Sequence, residues 1–298
     1  MIASRGKPQW LKIQPPTTEK FVKIKETLKK YKLHTVCEES HCPNIPECWS
    51  GGTATFMILG DVCTRGCRFC QVNAAAKGKP IDPYEPIKLA LAVKEWNLDY
   101  IVITSVDRDD LEDQGSEHFA KCITEVKRRI PGLLVEVLIP DFRGDAECLK
   151  KVVDAKPEVI AHNVETVRRL QSKIRDRRAG YEQSLSVLSN VKKLNPKIFT
   201  KSSIIVGFGE TDEEIIQAMK DLRAIGVDIL TIGQYLRPSD WHLPVAEYVP
   251  PEKFEFYKAM GEDLGFLYVA SGPFVRSSYR AGELFVKNVI RNNGQVFL

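Results

Sequence analysis

From Ala54 onward, short apolar runs alternate with longer stretches whose apolar positions recur at helical spacing. The runs Ala54–Leu59, Tyr100–Thr104, Leu133–Ile139, Val159–Ala161, Ile198–Val206 and Asp228–Ile232 predict six strands. Pro86–Trp96, Glu117–Ile130, Ala146–Val153, Gln183–Leu194, Asp212–Ile225 and Glu252–Leu264 predict helices between and after them. Thr211-Asp-Glu-Glu is an N-cap signal, and Pro250-Pro251 opens the last helix. Strand and helix alternating in this way require βαβ units with right-handed crossovers, and so a parallel sheet. The expected class is α/β, a partial (β/α)6 TIM-type barrel over residues 51–265. Residues 1–50 read as an N-terminal extension made irregular by Pro8, Pro15, Pro16, Pro43 and Pro46, with one helix over Glu19–Tyr31. Residues 266–298 read as a C-terminal segment: Leu267–Tyr279 leaves the last helix, and the segment closes on the barrel. Chemistry in such a fold belongs at the C-terminal strand ends, in the loops after Leu59, Thr104, Ala161 and Val206.

Composition narrows the class. The 298 residues are 43% hydrophobic and 28% charged, enough for a globular core and against wholesale disorder. The longest run without Asp, Glu, Lys or Arg, Cys48–Gly60, is thirteen residues, too short to span a bilayer. The N-terminus has no apolar signal core, so a reducing cytoplasm is expected. There eight cysteines, six of them between Cys37 and Cys70, indicate metal or redox chemistry rather than disulfides.

Cys63, Cys67 and Cys70 follow the first strand with spacing C-x3-C-x2-C. Three thiolates on a 4Fe–4S cube leave one iron open to a non-protein ligand. Zinc, the alternative, usually takes paired C-x2-4-C units and a fourth ligand such as His, which Gln71, Val72 and Asn73 do not offer. Upstream, Cys37, Cys42 and Cys48 are spaced C-x4-C-x5-C, and Pro43 and Pro46 prevent a continuous helix through them. This triad is also one ligand short; His41 is a possible fourth, though a turn or solvent role is favoured. Cys122 and Cys148 share helical faces with apolar residues and read as small buried hydrophobes.

The C-x3-C-x2-C loop, with Phe69 before its last cysteine, resembles the radical S-adenosylmethionine superfamily. Both cysteine motifs together resemble the lipoyl synthase family, as do Arg276-Ser-Ser-Tyr279, Val102-Ile-Thr-Ser-Val-Asp-Arg-Asp-Asp110, Pro140-Asp-Phe-Arg-Gly144 and Gly233-Gln-Tyr-Leu236. The resemblance covers about residues 10–284. It implies two 4Fe–4S clusters and S-adenosylmethionine, with radical insertion of two sulfur atoms at C6 and C8 of a protein-bound octanoyl group. Cys63, Cys67 and Cys70 would hold the radical-generating cluster. Cys37, Cys42 and Cys48 would hold a sacrificial auxiliary cluster, with Ser278, or less favourably Ser277, as fourth ligand. A hard oxygen ligand on a soft iron–sulfur centre predisposes one corner to leave.

The resemblance also assigns the nucleoside contacts: Thr104, Ser105 and Asp107 toward the methionyl amino group, Asn163 and Glu165 toward the ribose, and Gly207 and Gly209 toward the adenine. Asp107, Asp109 and Asp110 could bind Mg²⁺, but capping and solvent exposure fit them better. Implied partners are octanoylated lipoyl-carrier domains of 2-oxoacid dehydrogenase complexes or glycine cleavage H protein, reduced flavodoxin or ferredoxin, and an iron–sulfur cluster carrier protein. Neither nucleic acid nor membrane is expected. The basic run Arg168–Arg178 is a solvated face or a docking patch for an acidic partner.

Overall fold

The six apolar runs become strands of one sheet in a computed structural model, which describes residues 8–11, 19–50, 54–98 and 100–278. Tyr279 and the remainder of the C-terminal segment lie outside the described residues. The extension contains α1 (Glu19–Tyr31), β1 (His34–Thr35), α2 (Val36–Glu39) and α3 (Ile45–Ser50). The barrel begins with β2 (Thr55–Ile58), followed by a small pair, β3 (Val62–Cys63) and β4 (Asn73–Ala74). Next come α4 (Glu85–Trp96), β5 (Tyr100–Ser105), α5 (Ser116–Arg129), β6 (Leu134–Leu138), α6 (Ala146–Asp154) and β7 (Val159–Ala161). The chain continues through α7 (Gln171–Ile174), α8 (Tyr181–Leu194), β8 (Phe199–Val206), α9 (Asp212–Ala224), β9 (Ile229–Gln234), α10 (Pro251–Asp263) and β10 (Tyr268–Gly272).

The sheet order is β1-β2-β5-β6-β7-β8-β9-β10, parallel throughout except for the antiparallel pair β1–β2. The partial barrel expected from the sequence is therefore present, extended by β1 at one edge and β10 at the other. Tyr268–Gly272, expected only to lead away from the last helix, is a further parallel strand, in register with β9 from Tyr268↔Ile229 to Gly272↔Gly233. Among the described residues β10 has no strand on its other side, so the barrel stays open.

Alternation along the strands sorts side chains to two faces. Ile101, Ile103, Val135 and Val137 point outward and pack with Leu89, Val93, Phe119, Ile123 and Val152 of the helical layer. Each such fully buried aliphatic side chain contributes about 1.5–3 kcal/mol. Cys122 and Cys148 belong to this layer, as expected. Inward, Tyr100, Val102, Leu134, Val159 and Ile229 plug the barrel floor. Above them Lys201 Nζ lies 2.7 Å from Glu136 Oε1, each side chain only 2% exposed, and the Tyr100 hydroxyl also donates to Glu136. Sealing the floor leaves the top of the barrel as the open end.

Among its described residues the extension carries more helix than its prolines imply. α1 packs on α3 and α4, with the Phe21 and Trp49 rings 5.1 Å apart. Pro43 lies between α2 and α3, and Pro46 lies in the first turn of α3, where a missing N–H costs little. At the other end of the chain order, Thr211 and Glu214 form the expected capping box of α9. Among the described residues no helix is long and apolar enough to cross a membrane.

Candidate active site

A cavity of about 720 Å³ opens at the C-terminal ends of the strands. Its wall contains all six clustered cysteines, Cys37, Cys42, Cys48, Cys63, Cys67 and Cys70, brought there by two separate segments of the chain. The same wall includes Thr104, Ser105, Asp107, Asn163 and Glu165, and, from beyond β10, Ser277 and Ser278. Gly207 and Gly209 are not part of it. Both have positive φ, and the position of a Cβ at Gly207 is filled by Gln234 Nε2 at 2.3 Å and the Glu247 carbonyl at 2.8 Å. These glycines form a tight turn packed against the neighbouring loop.

The Cys63–Cys70 loop is fixed by neighbouring backbone. Thr64 N–H donates to the Asp107 carbonyl at 2.9 Å, Arg68 N–H to the Ile174 carbonyl at 2.8 Å, and Ala75 N–H to the Cys63 carbonyl at 3.0 Å. His242 Nε2 reaches the Cys70 carbonyl at 3.1 Å, while its Nδ1 contacts Ser239 Oγ. Backbone N–H groups of Arg65 and Asp176 point at the sulfurs of Cys63 and Cys67, at 3.4 and 3.3 Å. Such donors favour the thiolate.

Arg65, between two of these cysteines, was not singled out in the sequence. It is buried, and its guanidinium meets Asp109 at 2.9 and 3.0 Å and Asp141 at 2.7 Å twice, with Asp107 at 3.3 Å. Burial opposes its charge, but Asp141 and Asp109 hold the guanidinium firmly protonated. Burial also opposes ionisation of Asp109, yet hydrogen bonds from Arg65, Arg143 and Thr64 hold its carboxyl at about 2. Asp110 pairs with Arg108 at 2.8 Å. Asp109 and Asp110 are thus engaged by arginines, which replaces both the Mg²⁺ reading and the solvent-exposed one. The sequence signal was an arginine inside a metal motif in a chain with three acidic loop residues after the next strand.

Burial raises the thiol pKa values: Cys37 and Cys70 to about 11 and Cys67 to about 12, with Cys63 higher still beside Asp107. Such thiols release their protons only to a strong cationic partner. None of the eight cysteines is in a disulfide. Among the described residues, the acidic, His and Cys ligand atoms that gather in threes within 4.8 Å belong to Glu85, His118 and Cys122 and to His34, Glu39 and Asp61; neither cysteine triad does. A tetrahedral zinc with 2.3 Å bonds would bring sulfurs to about 3.8 Å, whereas a cube spreads its thiolates over separate irons. The wider spacing fits the cube. Glu85 serves the backbone instead, taking the Leu59 N–H at 2.9 Å and His118 Nε2 at 2.7 Å.

The remainder of the wall fits a polar cofactor. Gln71 Oε1, Ser105 Oγ, Asn163 Oδ1 and Arg175 Nε line the cavity as buried atoms without protein partners. A ligand offering amino, carboxylate and hydroxyl groups satisfies such a set. Asn163 Nδ2 donates to Glu165 Oε1 at 3.0 Å, and Glu165 is held at φ +66° by backbone bonds to Ser203 and Ile205. His162, also in the wall, is pushed down to about 4 by burial and Arg175, and so is neutral at pH 7. It bridges the Ile139 carbonyl and Ser184 Oγ, each at 2.9 Å.

A family model for the radical SAM superfamily matches residues 57–222, and one for the N-terminal domain of lipoyl synthase matches residues 3–42. The chain is 59% identical over 286 residues to lipoyl synthase of Anaeromyxobacter dehalogenans, covering 96% of this chain and 97% of that protein. The chain belongs to the lipoyl synthase family. It is likewise 58% identical over 300 residues to lipoyl synthase of Halobacterium salinarum, covering 99% and 96% of the two chains. Among solved structures, Streptococcus suis SuiB bound to precursor peptide SuiA aligns with a TM-score of 0.55 at 10% identity, over 84% of this chain and 52% of that one, a likeness of fold alone. Membership of the radical SAM superfamily brings with it a 4Fe–4S cluster and S-adenosylmethionine.

The basic run is largely consumed internally. Arg168 pairs with Glu182 and with Asp221, Arg169 with Glu214 at 2.6 Å, and Arg178 with Asp176 at 2.8 Å. Arg175 is buried against Ser184 at 2.8 Å. Arg168, Arg169, Lys173, Arg177 and Arg178 are exposed, with Arg168, Arg169 and Arg178 engaged in ion pairs.

Proposed function

We propose that this lipoyl synthase family member divides its two triads between radical generation and sulfur supply, inserting sulfur at C6 and C8 of a protein-bound octanoyl group to form the lipoyl group. The observation that carries the reading is the opening of both triads onto one cavity, with Ser277 and Ser278 in the same wall. Cys63, Cys67 and Cys70 hold one 4Fe–4S cluster, whose remaining iron is left to S-adenosylmethionine. Cys37, Cys42 and Cys48 hold the auxiliary 4Fe–4S cluster, with Ser278 as its fourth ligand. When bound, these groups supply a 5′-deoxyadenosyl radical and sulfur, chemistry that side chains lack.

The chain's own residues orient and enclose. Ser105 Oγ and Asn163 Oδ1 are buried without protein partners; Thr104, Ser105 and Asp107 would receive the methionyl amino group, and Asn163 and Glu165 the ribose. The N–H groups of Arg65 and Asp176 stabilise the thiolates of Cys63 and Cys67. Met57, Val106, Ile139, Leu236 and Val275 give the cavity apolar wall for an eight-carbon acyl chain. The acyl group arrives on lipoyl-carrier domains of 2-oxoacid dehydrogenase complexes or glycine cleavage H protein. Reduced flavodoxin or ferredoxin supplies electrons, and an iron–sulfur cluster carrier protein rebuilds the auxiliary cluster. Eight cysteines outside disulfides suit a reducing cytoplasm. Anaerobic reconstitution followed by mass spectrometry of an octanoyl-carrier peptide tests the reading: a product with two added sulfurs supports it, and unmodified peptide despite S-adenosylmethionine cleavage sinks it.

A further inference from the structure

Beyond β10 the residues Pro273–Ser278 run as a strap that lines the cavity from Val275 to Ser278. Two contacts seat it. On one side lies Gly233 of β9, on the inward-pointing face with Ile229 and Thr231 and directly in register with Gly272. A Cβ built on Gly233 would stand 2.0 Å from the Val275 carbonyl oxygen and 3.0 Å from its carbon. The obstruction is backbone, so it cannot swing aside like a side chain. Gly233 lies in the strand and lacks positive φ, so its backbone would accept any residue. Its missing side chain serves the close approach of another chain segment.

On the other side lies Asn44, buried between α2 and α3, within the Cys37–Cys48 motif. Its Nδ2 donates to the Phe274 carbonyl at 2.6 Å, a link spanning 230 positions of sequence. The Asn44 carbonyl in turn accepts the Cys48 N–H at 2.9 Å. The extension adjoins one edge of the open sheet through β1, and the strap follows the strand at the other edge. Asn44 therefore ties the two ends of the partial barrel together above the cavity.

We propose that Gly233 and Asn44 are positioning residues for the auxiliary site, seating the strap so that Ser277 and Ser278 face Cys37, Cys42 and Cys48. This rests on the two-cluster reading above for its chemical consequence, though not for the seating itself. Both residues adjoin the cavity and meet the backbone of the strap. The seat is a steric notch on one side and a single hydrogen bond on the other, so each can be removed separately.

The test compares wild type with Gly233→Ala and Asn44→Ala. Hydrogen exchange of strap amides in cluster-free protein reads the seating directly. Iron content and 5′-deoxyadenosine formation after reconstitution read the consequence. In both variants, exchange over residues 274–278 should accelerate about tenfold or more while β5 and β6 stay at wild-type rates. Iron should fall from roughly eight per chain toward four, with 5′-deoxyadenosine formation retained. Unchanged strap exchange in both variants overturns the proposal, as does acceleration spread equally to β5 and β6. Should Gly233→Ala fail to fold, Asn44→Ala adds no volume and decides alone. Wild type holding only four irons would refute the two-cluster reading while leaving the exchange result to judge the seat.

Discussion

Replacing Arg65 with Met keeps the length and apolar stem of the side chain but removes its fork. Four hydrogen bonds disappear, two to Asp109 at 2.9 and 3.0 Å and two to Asp141 at 2.7 Å, together with the ion pair to Asp107 at 3.3 Å. Asp109 keeps Arg143 at 2.9 Å, Arg178 at 3.3 Å and the Thr64 hydroxyl at 3.0 Å. Asp141, fully buried, keeps only the Arg143 backbone N–H at 2.9 Å. The cost therefore falls mainly on Asp141, with Asp107 losing its ion pair as well, and breaking such a buried pair from one side costs about 3–5 kcal/mol. With a urea slope near 3 kcal/mol per M, the unfolding midpoint should fall by about 1 M or more. Arg65→Met/Asp141→Asn removes the stranded charge and should recover at least about half of the loss. Because Arg65 sits between Cys63 and Cys67, the single variant should also lose iron from that triad. A midpoint within about 0.2 M of wild type in anaerobic urea titrations would refute the reasoning, since a change that small is what a surface substitution gives.

Lys201→Met strands Glu136 on the barrel floor and should destabilise by about 3–5 kcal/mol, whereas Lys201→Met/Glu136→Leu should return to within about 1 kcal/mol of wild type by urea titration. Asp109 is held below its ordinary 3.8, at about 2, so its contribution is complete above about pH 4 and is lost as pH falls through 2. Acid unfolding followed by circular dichroism should show this dependence in wild type and a weaker one in Arg65→Met. Cys122→Ala and Cys148→Ala should leave the iron content of the reconstituted protein unchanged, because both thiols lie in the helical layer rather than the cavity.

Much of this arrangement is legible in residue order, for identifiable reasons. The six predicted strands carry enough consecutive apolar residues to declare themselves, because a parallel strand is covered on both faces. Tyr268-Val-Ala-Ser-Gly272 did not, since a small, partly polar edge strand resembles a loop until its partner is placed. The short helices α2 and α3 were obscured by the prolines that separate and start them. The cysteine triads stood out because close spacing within one segment is itself the chemical constraint. Arg65 did not, because Asp109 and Asp141 lie 44 and 76 positions away and only the fold brings them together. Gly207 and Gly209, expected as a nucleoside contact, close a turn at the end of β8 in which Gly207 packs against Gln234 and the Glu247 carbonyl.

The division of labour between the triads is tested most directly by the origin of the inserted sulfur. Protein reconstituted with heavy-isotope sulfide, freed of excess sulfide and given octanoyl-carrier peptide for a single turnover should yield a product carrying two heavy sulfurs. Cys37→Ala prepared identically should yield none while still forming 5′-deoxyadenosine. Unlabelled sulfur in the wild-type product, or labelled product from Cys37→Ala, would contradict the account.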